Sequence, residues 1–275
     1  MQENKEIIVY KNELNSIPLR NFNSVEMDIL FSILSQMRDK GSTEITFTLN
    51  ELKHLSNYKK SNKTKEFIKD LEKTYDKLIQ LNVKIGTATE FTKFVFFTRY
   101  SVSEEKKTIS IKVNQEFAPL INEITGNFTK FELEELTHLS SSYSKSCYRL
   151  LKQYRKTGFY KVKIDTFKYL LDVPESYKNT SNFNSRVLKP IERDLKEFFK
   201  DLKIKKIKEN KTDKKADTLL FTFKPQDDVK DTGYSTFRDK DTGEYREKHI
   251  MEFGEDEVRK EFPEIKGQFS ADDYI

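Results

Sequence analysis

Residues 179–223 read NTSNFNSRVLKPIERDLKEFFKDLKIKKIKENKTDKKADTLLFTF. Two periodicities meet in this stretch. Phe183, Val187, Leu188, Ile191, Leu195, Phe198, Phe199 and Leu202 share one broad face at helical spacing, which predicts an amphipathic helix over 182–202. The pattern then switches to β segments, KIKKIKE and TLLFTF, which predict a lysine-rich hairpin. At about 100° per residue, Asn182, Ser185, Arg186, Lys189, Arg193 and Lys196 gather opposite the apolar face, with Glu192, Asp194 and Glu197 on the flanks. That polar face has no acid. Arg and Lys reach guanine, Asn reaches adenine, and Ser accepts either, so the face suits reading of base edges. Lys203, Lys205, Lys206, Lys208, Lys211, Lys214 and Lys215 would line the hairpin and its tip, where phosphates are met. The competing reading is a solvated face that is basic by chance. Pro190 disturbs the helix, because it offers no N–H to the Arg186 carbonyl and disfavours α geometry at Lys189. Either the helix starts near residue 186, leaving Asn182 and Ser185 in a turn, or it kinks there.

Outward from this stretch, one order of elements occurs twice. The first copy opens with SVEMDILFSILSQMRDKG (24–41), helical through Met27, Leu30, Phe31, Leu34 and Met37 and closed by Gly41. EITFT alternates as a strand, and Asn50 is a candidate cap for the short helix ELKHLS. A longer helix over 63–81 carries Phe67, Ile68, Leu71, Tyr75, Leu78 and Ile79 on one face. The β segments NVKIG, KFVFFTRYSV and KTISIKV follow. The second copy opens with SYSKSCYRLLKQYRKTG (142–158), with Tyr143, Cys147, Leu150, Leu151 and Tyr154 as its stripe and Gly158 as its stop. YKVKI is the strand, Asp165 a candidate cap for TFKYLL, and a turn at Pro174 leads to the long helix. Gly41 and Gly158 lie 117 residues apart, Asn50 and Asp165 115, and the wing entries Asn82 and Lys203 121. Residues 114–139 should bridge the copies by a short helix, a turn at Gly126 and a second helix start.

Helix, strand, helix, turn, helix and wing is the order of a winged helix. Two in tandem predict an α+β fold with pseudo-two-fold symmetry. In the first copy, the outward face of 63–81 is mixed (Lys65, Glu66, Lys69, Lys73, Asp76, Lys77). Only KKSNKTK at its start is purely basic and polar; there Lys59, Lys60, Asn62, Lys63 and Lys65 are candidates to hold phosphates.

The bulk composition agrees. The 275 residues carry a net charge of +5, but residues 226–275 hold 15 acids and 8 bases, so the body before them is net +12. A basic body with an acidic tail favours a polyanion partner. The single cysteine, Cys147, excludes an internal disulfide framework. No stretch resembles a secretion signal or approaches the roughly 20 apolar residues of a membrane span, so a cytoplasmic protein without membrane contact is expected. Forty lysines against ten arginines fit AT-rich coding. No GxxxxGK[ST], HExxH, CxxC or GxSxG occurs. His54, His138 and His249 are scattered, which disfavours a nickase with paired metal-binding histidines. No enzyme, metal or cofactor is expected.

Taken together, SYSKSCYRLLKQYRKTG, KIDTFKYLLDV and FNSRVLKPIERDL resemble the second winged helix of the Rep_3 type of iteron-binding plasmid replication initiators. VYKNELNSIPLRNFNSVEMDILFSIL is similar to that family's opening segment, and the resemblance spans roughly residues 5–225. It implies tandem winged helices that bind directly repeated double-stranded origin DNA and recruit a host replication initiator and replicative helicase. It also implies self-association through the first domain, with a dimer repressing its own promoter and a monomer initiating. The base-reading helix maps to Phe183–Leu195, with Arg186 facing DNA and Asn184 and Ser185 where several relatives are more basic. The expected domains are 1–125, for dimerisation and auxiliary DNA contact; 126–225, for the main reading of origin DNA; and 226–275, an acidic tail that is flexible or docks a partner. In that tail, residues 255–262 are a candidate short helix. A transcriptional repressor of the same fold and a protein–protein adaptor are the alternative functions.

Overall fold

The structure is a computed structural model. It describes residues 6–37, 44–61, 63–86, 89–121, 127–177, 179–208, 216–227, 234–238 and 245–249. The first winged helix contains α1 (Ser24–Met37), strand β2 (Glu44–Thr48), α2 (Leu49–Leu55) and α3 (Thr64–Gln80). α1 is described as far as Met37, and the expected stop at Gly41 lies outside the described residues. The cap of α2 is Thr48 rather than Asn50. Its hydroxyl accepts from the Glu51 N–H at 3.1 Å and Glu51 accepts from the Thr48 N–H at 3.0 Å, a reciprocal box that satisfies two orphan donors. On α3, Phe67, Leu71, Tyr75 and Leu78 are fully buried, whereas Ile79 stays exposed.

After α3 come four strands rather than three β segments: β3 (Asn82–Gly86), β4 (Phe91–Val95), β5 (Phe97–Ser103) and β6 (Thr108–Val113). The expected single run KFVFFTRYSV breaks at buried Phe96, whose N–H donates to the Leu81 carbonyl. Among the described residues β3 and β4 pair only with each other, while β2, β6 and β5 form a separate sheet in that order. The second winged helix has a sheet of the same order, β8 (Phe159–Lys163), β10 (Thr218–Thr222) and β9 (Lys203–Ile207). The counterpart of β9 is therefore β5. Asn82 opens an inserted hairpin and is not the equivalent of Lys203.

The bridge holds the expected short helix and second helix, with a strand between them that was not expected. A 3₁₀ turn spans Gln115–Leu120, and Gly126 lies outside the described residues. Strand β7 (Phe128–Glu132) then pairs antiparallel with β1 (Ile7–Lys11), from Ile7 opposite Glu132 to Lys11 opposite Phe128. α4 (Leu133–His138) follows, then α5 (Ser142–Gln153), capped by Ser141. The chain leaves α5 through Gly158 at φ +73°, a left-handed conformation that glycine adopts freely. A Cβ there would meet the Phe223 carbonyl at 2.7 Å. α6 (Ile164–Leu170) has Lys163 at its cap position, where the side chain makes no capping hydrogen bond; Asp165 is in the first turn and is not the cap.

α5 is the joint between the halves. It packs on α1, on β7 and on the 3₁₀ turn Asn12–Ser16. Lys145 is fully buried; its Nζ donates to Asp28 Oδ1 of α1 at 2.5 Å and to the Leu136 carbonyl at 2.7 Å. Burial drives the Asp28 carboxyl up to about 7, and burial likewise pulls the Lys145 ammonium down; each partner's charge opposes the other's shift. Arg149 donates to the Tyr10 hydroxyl at 3.1 Å and to the Leu14 carbonyl at 2.9 Å, while Asn15 donates to Thr129 Oγ1 at 2.7 Å. One continuous hydrophobic cluster runs through both winged helices, from Ile8 to Phe223. Beyond residue 227, strands β11 (Tyr234–Arg238) and β12 (Tyr245–His249) form an antiparallel hairpin within the acidic segment, which reads as irregular from its sequence. The expected helix at 255–262 lies outside the described residues.

Candidate nucleic-acid interface

The helix expected to read bases in the second half begins at Thr180, so the late start near residue 186 is overturned. Asn179 caps it, its side chain accepting from the Asn182 N–H at 2.8 Å. An α segment, α7 (Thr180–Phe183), leads into a π turn (Asn184–Leu188) and then α8 (Lys189–Leu195). The Lys189 N–H donates to the Asn184 carbonyl, five residues back. Pro190 falls in the first turn of α8, directly after the π turn. The helix does not start late: just ahead of the proline it widens by one residue over one turn, a distortion at the place where the other reading put a kink. It also ends at Leu195, seven residues short of the expected 202.

The widening changes which residues share a face. Phe183, Val187, Ile191, Leu195 and Phe199 recur at intervals of four, and none is more than 1% exposed. In a regular α-helix a four-residue step drifts by about 40°, which would spread these five over about 160°. A π turn absorbs roughly one residue, or about 100° of that drift. The polar residues before and after the turn are offset by the same angle from their places on a regular wheel.

Arg186, Ser185, Lys189, Arg193 and Lys196 are exposed, and Asn182 and Asn184 are half-buried. Asn182 Nδ2 donates to the Ser176 carbonyl at 3.1 Å, and Ser185 Oγ donates to the Ser181 carbonyl at 2.9 Å. Arg186 lies over the Tyr177 ring, 5.2 Å from its centre, and donates to the Tyr177 hydroxyl at 3.4 Å. Lys206 on β9 donates to Asn184 Oδ1 at 2.5 Å and lies 5.6 Å from the Phe183 ring centre. Partial burial, then the charge of Lys168, holds the Lys206 ammonium below the usual lysine range. Arg193 pairs with Asp194 at 2.9 Å, and Lys196 lies 3.6 Å from Glu192, so these two cations have acid neighbours. Lys203, Lys205 and Lys208 are exposed along the wing. Lys211, Lys214 and Lys215 lie outside the described residues, as does Asn62.

In the first half, Lys59, Lys60, Lys63 and Lys65 are exposed around the start of α3. Lys60 is tied to Asp70 at 2.9 Å and Lys63 lies 3.8 Å from Glu66, so two of the four have local acids. Sequence reasoning missed Tyr177 and the Asn179 cap. Asn at the head of NTSN was a legible cap signal. Nothing in the local sequence singles out Tyr177 as a support for Arg186. Among the described residues, no group of His, Cys, Asp and Glu is placed to hold a metal ion, and no helix is long and apolar enough to cross a membrane.

Two winged helices of like sheet order, one bearing a capped polar helix beside a lysine-lined wing, define a tandem winged-helix protein. Residues 7–152 match the family described as "Initiator Replication protein, WH1", and residues 163–223 match "Initiator Rep protein, WH2". The chain belongs to this family of initiator replication proteins. It is 36% identical over 187 residues to a Bifidobacterium longum protein described as a probable replication protein Rep, covering 68% of this chain and 63% of that one. It is 22% identical over 182 residues to an Escherichia coli replication initiation protein, covering 64% and 55% respectively. The chain thus spans between half and two thirds of the length of these relatives. Its fold is similar to the crystal structure of the Pi initiator protein in complex with iteron DNA, with a TM-score of 0.63 at 18% identity, covering 82% of this chain and all of that one.

Proposed function

We propose that this chain is a non-enzymatic plasmid replication initiator that binds directly repeated origin DNA and helps recruit host initiation proteins and helicase. The observation that carries the reading is the capped helix that presents Asn182, Ser185 and Arg186 without an acid beside the lysines of β9. Family membership supports it, and so does the likeness to a neighbour described in complex with iteron DNA. Under this reading, residues 126–225 provide the main base contacts, residues 1–125 add phosphate contacts through Lys59, Lys60, Lys63 and Lys65 and carry self-association, and residues 226–275 stand apart from the DNA. Host-protein recruitment and self-repression rest on the family resemblance. Action in the cytoplasm, where plasmid DNA resides, is part of the same proposal.

Fluorescence anisotropy tests it, with direct repeats from beside the gene against a scrambled duplex at several salt concentrations. Contact with about 6–10 phosphates predicts a loss of roughly 10³- to 10⁵-fold in affinity between 50 and 200 mM salt. Preference for the repeats with that slope supports the reading. Equal affinity for both duplexes refutes sequence-specific origin binding.

A further inference from the structure

The π turn places three polar residues, Asn184, Ser185 and Arg186, between the buried Phe183 and Val187. Both ends of this triplet are held from outside the helix. Asn184 accepts from Lys206 of the wing strand at 2.5 Å. Arg186 rests on Tyr177, which sits in the turn before the helix, with its guanidinium 5.2 Å from the ring centre and 3.4 Å from the hydroxyl. Ser185 is exposed between them, and its hydroxyl bonds back to the Ser181 carbonyl at 2.9 Å. An arginine free in water loses side-chain freedom on binding, and one already laid on a ring loses less.

We infer that Tyr177 and Lys206 are positioning residues that pin the two ends of the triplet Asn184, Ser185 and Arg186 within the π turn, so that its side chains meet base edges already ordered. This rests on the proposed DNA reading. It assigns Lys206 a role unlike that of the other wing lysines. Its ammonium is engaged with Asn184 and sets a neighbour's orientation, whereas Lys203, Lys205 and Lys208 are left to meet phosphates. Tyr177 supplies a flat surface and a hydroxyl acceptor, and the surface is the larger part of the hold because the hydrogen bond is long.

The test compares the full-length wild type with Tyr177→Leu, Tyr177→Phe and Lys206→Met. Each is measured by anisotropy on repeat and scrambled duplexes across a salt series. Tyr177→Leu should lower the preference for the repeats about 3- to 10-fold with the salt slope unchanged, and Tyr177→Phe should keep most of it. Lys206→Met should also lower the preference without reducing the slope. A slope reduced by about one unit would make Lys206 a phosphate contact and overturn its positioning role. A Tyr177→Leu preference within twofold of wild type overturns the role of Tyr177. Thermal unfolding of the same variants should stay near wild type, since Tyr177 is half-exposed and Lys206 exposed. A second readout needs no DNA: ¹⁵N relaxation of Arg186 Nε should report a restrained group in wild type and a mobile one in Tyr177→Leu. Mobility in wild type overturns the pinning. A wild type that lacks any preference for the repeats while Arg186 is restrained refutes the origin-binding reading and the base-meeting role of the turn, and leaves the Tyr177 contact standing.

Discussion

Replacing Lys145 with Met should expose how the two halves are joined. The ammonium is fully buried and has two partners, Asp28 Oδ1 at 2.5 Å and the Leu136 carbonyl at 2.7 Å. Met fills similar volume and carries no charge. It leaves a carboxyl that is only 6% exposed, without its cation. Breaking one side of a buried pair costs about 3–5 kcal/mol, a large share of the roughly 5–15 kcal/mol that keeps a domain folded. The loss should depend on pH, with a sign that follows from Asp28. Burial already raises its carboxyl to about 7 with Lys145 in place, and Lys145 is what opposes that rise. Without the lysine the folded value climbs further above the unfolded one. A group raised in this way favours folding fully below its unfolded value and loses that contribution as pH rises through its folded value. The variant should therefore gain stability as pH falls from about 7 toward 4, by up to ~1.4 kcal/mol per pH unit. Urea unfolding at pH 5 and pH 7.5, followed by circular dichroism, measures both effects. The double variant Asp28→Leu with Lys145→Met removes the stranded charge and should recover about 2 kcal/mol or more. A single-variant loss below about 1 kcal/mol at pH 7.5, or a double variant no more stable than the single, would refute the account.

Three further outcomes follow from local geometry. Gly158→Ala should destabilise the second half by more than about 1–2 kcal/mol, because φ there is +73° and the new Cβ lies 2.7 Å from the Phe223 carbonyl; an unchanged melting temperature would contradict this. Thr48→Ala removes one arm of the α2 capping box and should cost about 1 kcal/mol, read by chemical denaturation, whereas Asn50→Ala should be near neutral. Cys147 is fully buried and burial pushes its thiol well above the ordinary range, so iodoacetamide should label it only when the fold opens. Mass spectrometry that finds rapid labelling of the native chain would rule that out.

Periodicity made much of the second half legible. α5, β8 and the β9–β10 hairpin fall where their stripes and alternations put them, because each carries a full hydrophobic period within its own segment, whatever it packs against. What escaped depends on partners far along the chain or on a departure from ideal geometry. The β1–β7 pair joins residues more than a hundred positions apart, and IIVYK by itself is four apolar residues and a lysine with no turn to announce a partner. The break at Phe96 was hidden because a continuous β pattern does not reveal a change of sheet. The π turn left a readable trace in the strict four-residue recurrence of Phe183, Val187, Ile191, Leu195 and Phe199. A wheel drawn at 100° per residue turns that trace into a broad face and loses it. The candidate cations were legible as residue types. Their local acids, Asp70 beside Lys60 and Asp194 beside Arg193, were not, since the first contact spans ten residues and the second depends on rotamers.

Asp28 and Lys145 are 117 residues apart, the same offset as Gly41 and Gly158. The two halves of the ion pair therefore come from near-equivalent positions on the first helix of each copy. An ion pair placed in a packed joint has a mechanical consequence. The same helices that carry the pair also carry the continuous core, with Met27, Ile29 and Leu30 on α1 and Cys147, Tyr148 and Leu151 on α5 all at most 2% exposed. Such interiors resist small displacements, because each shift opens voids or forces clashes. The helix of α7 and α8 and the helix α3 are thus held in one relative orientation by buried side chains. On the proposed reading, the spacing between the two contacts on the duplex is set by α1 and α5, while the residues of the π turn choose the bases. If the two helices enter successive major grooves, that spacing is about 34–36 Å. Substitutions at the joint should then disturb binding to the whole site, whereas substitutions at Tyr177, Asn184 or Arg186 should alter which sequence is preferred.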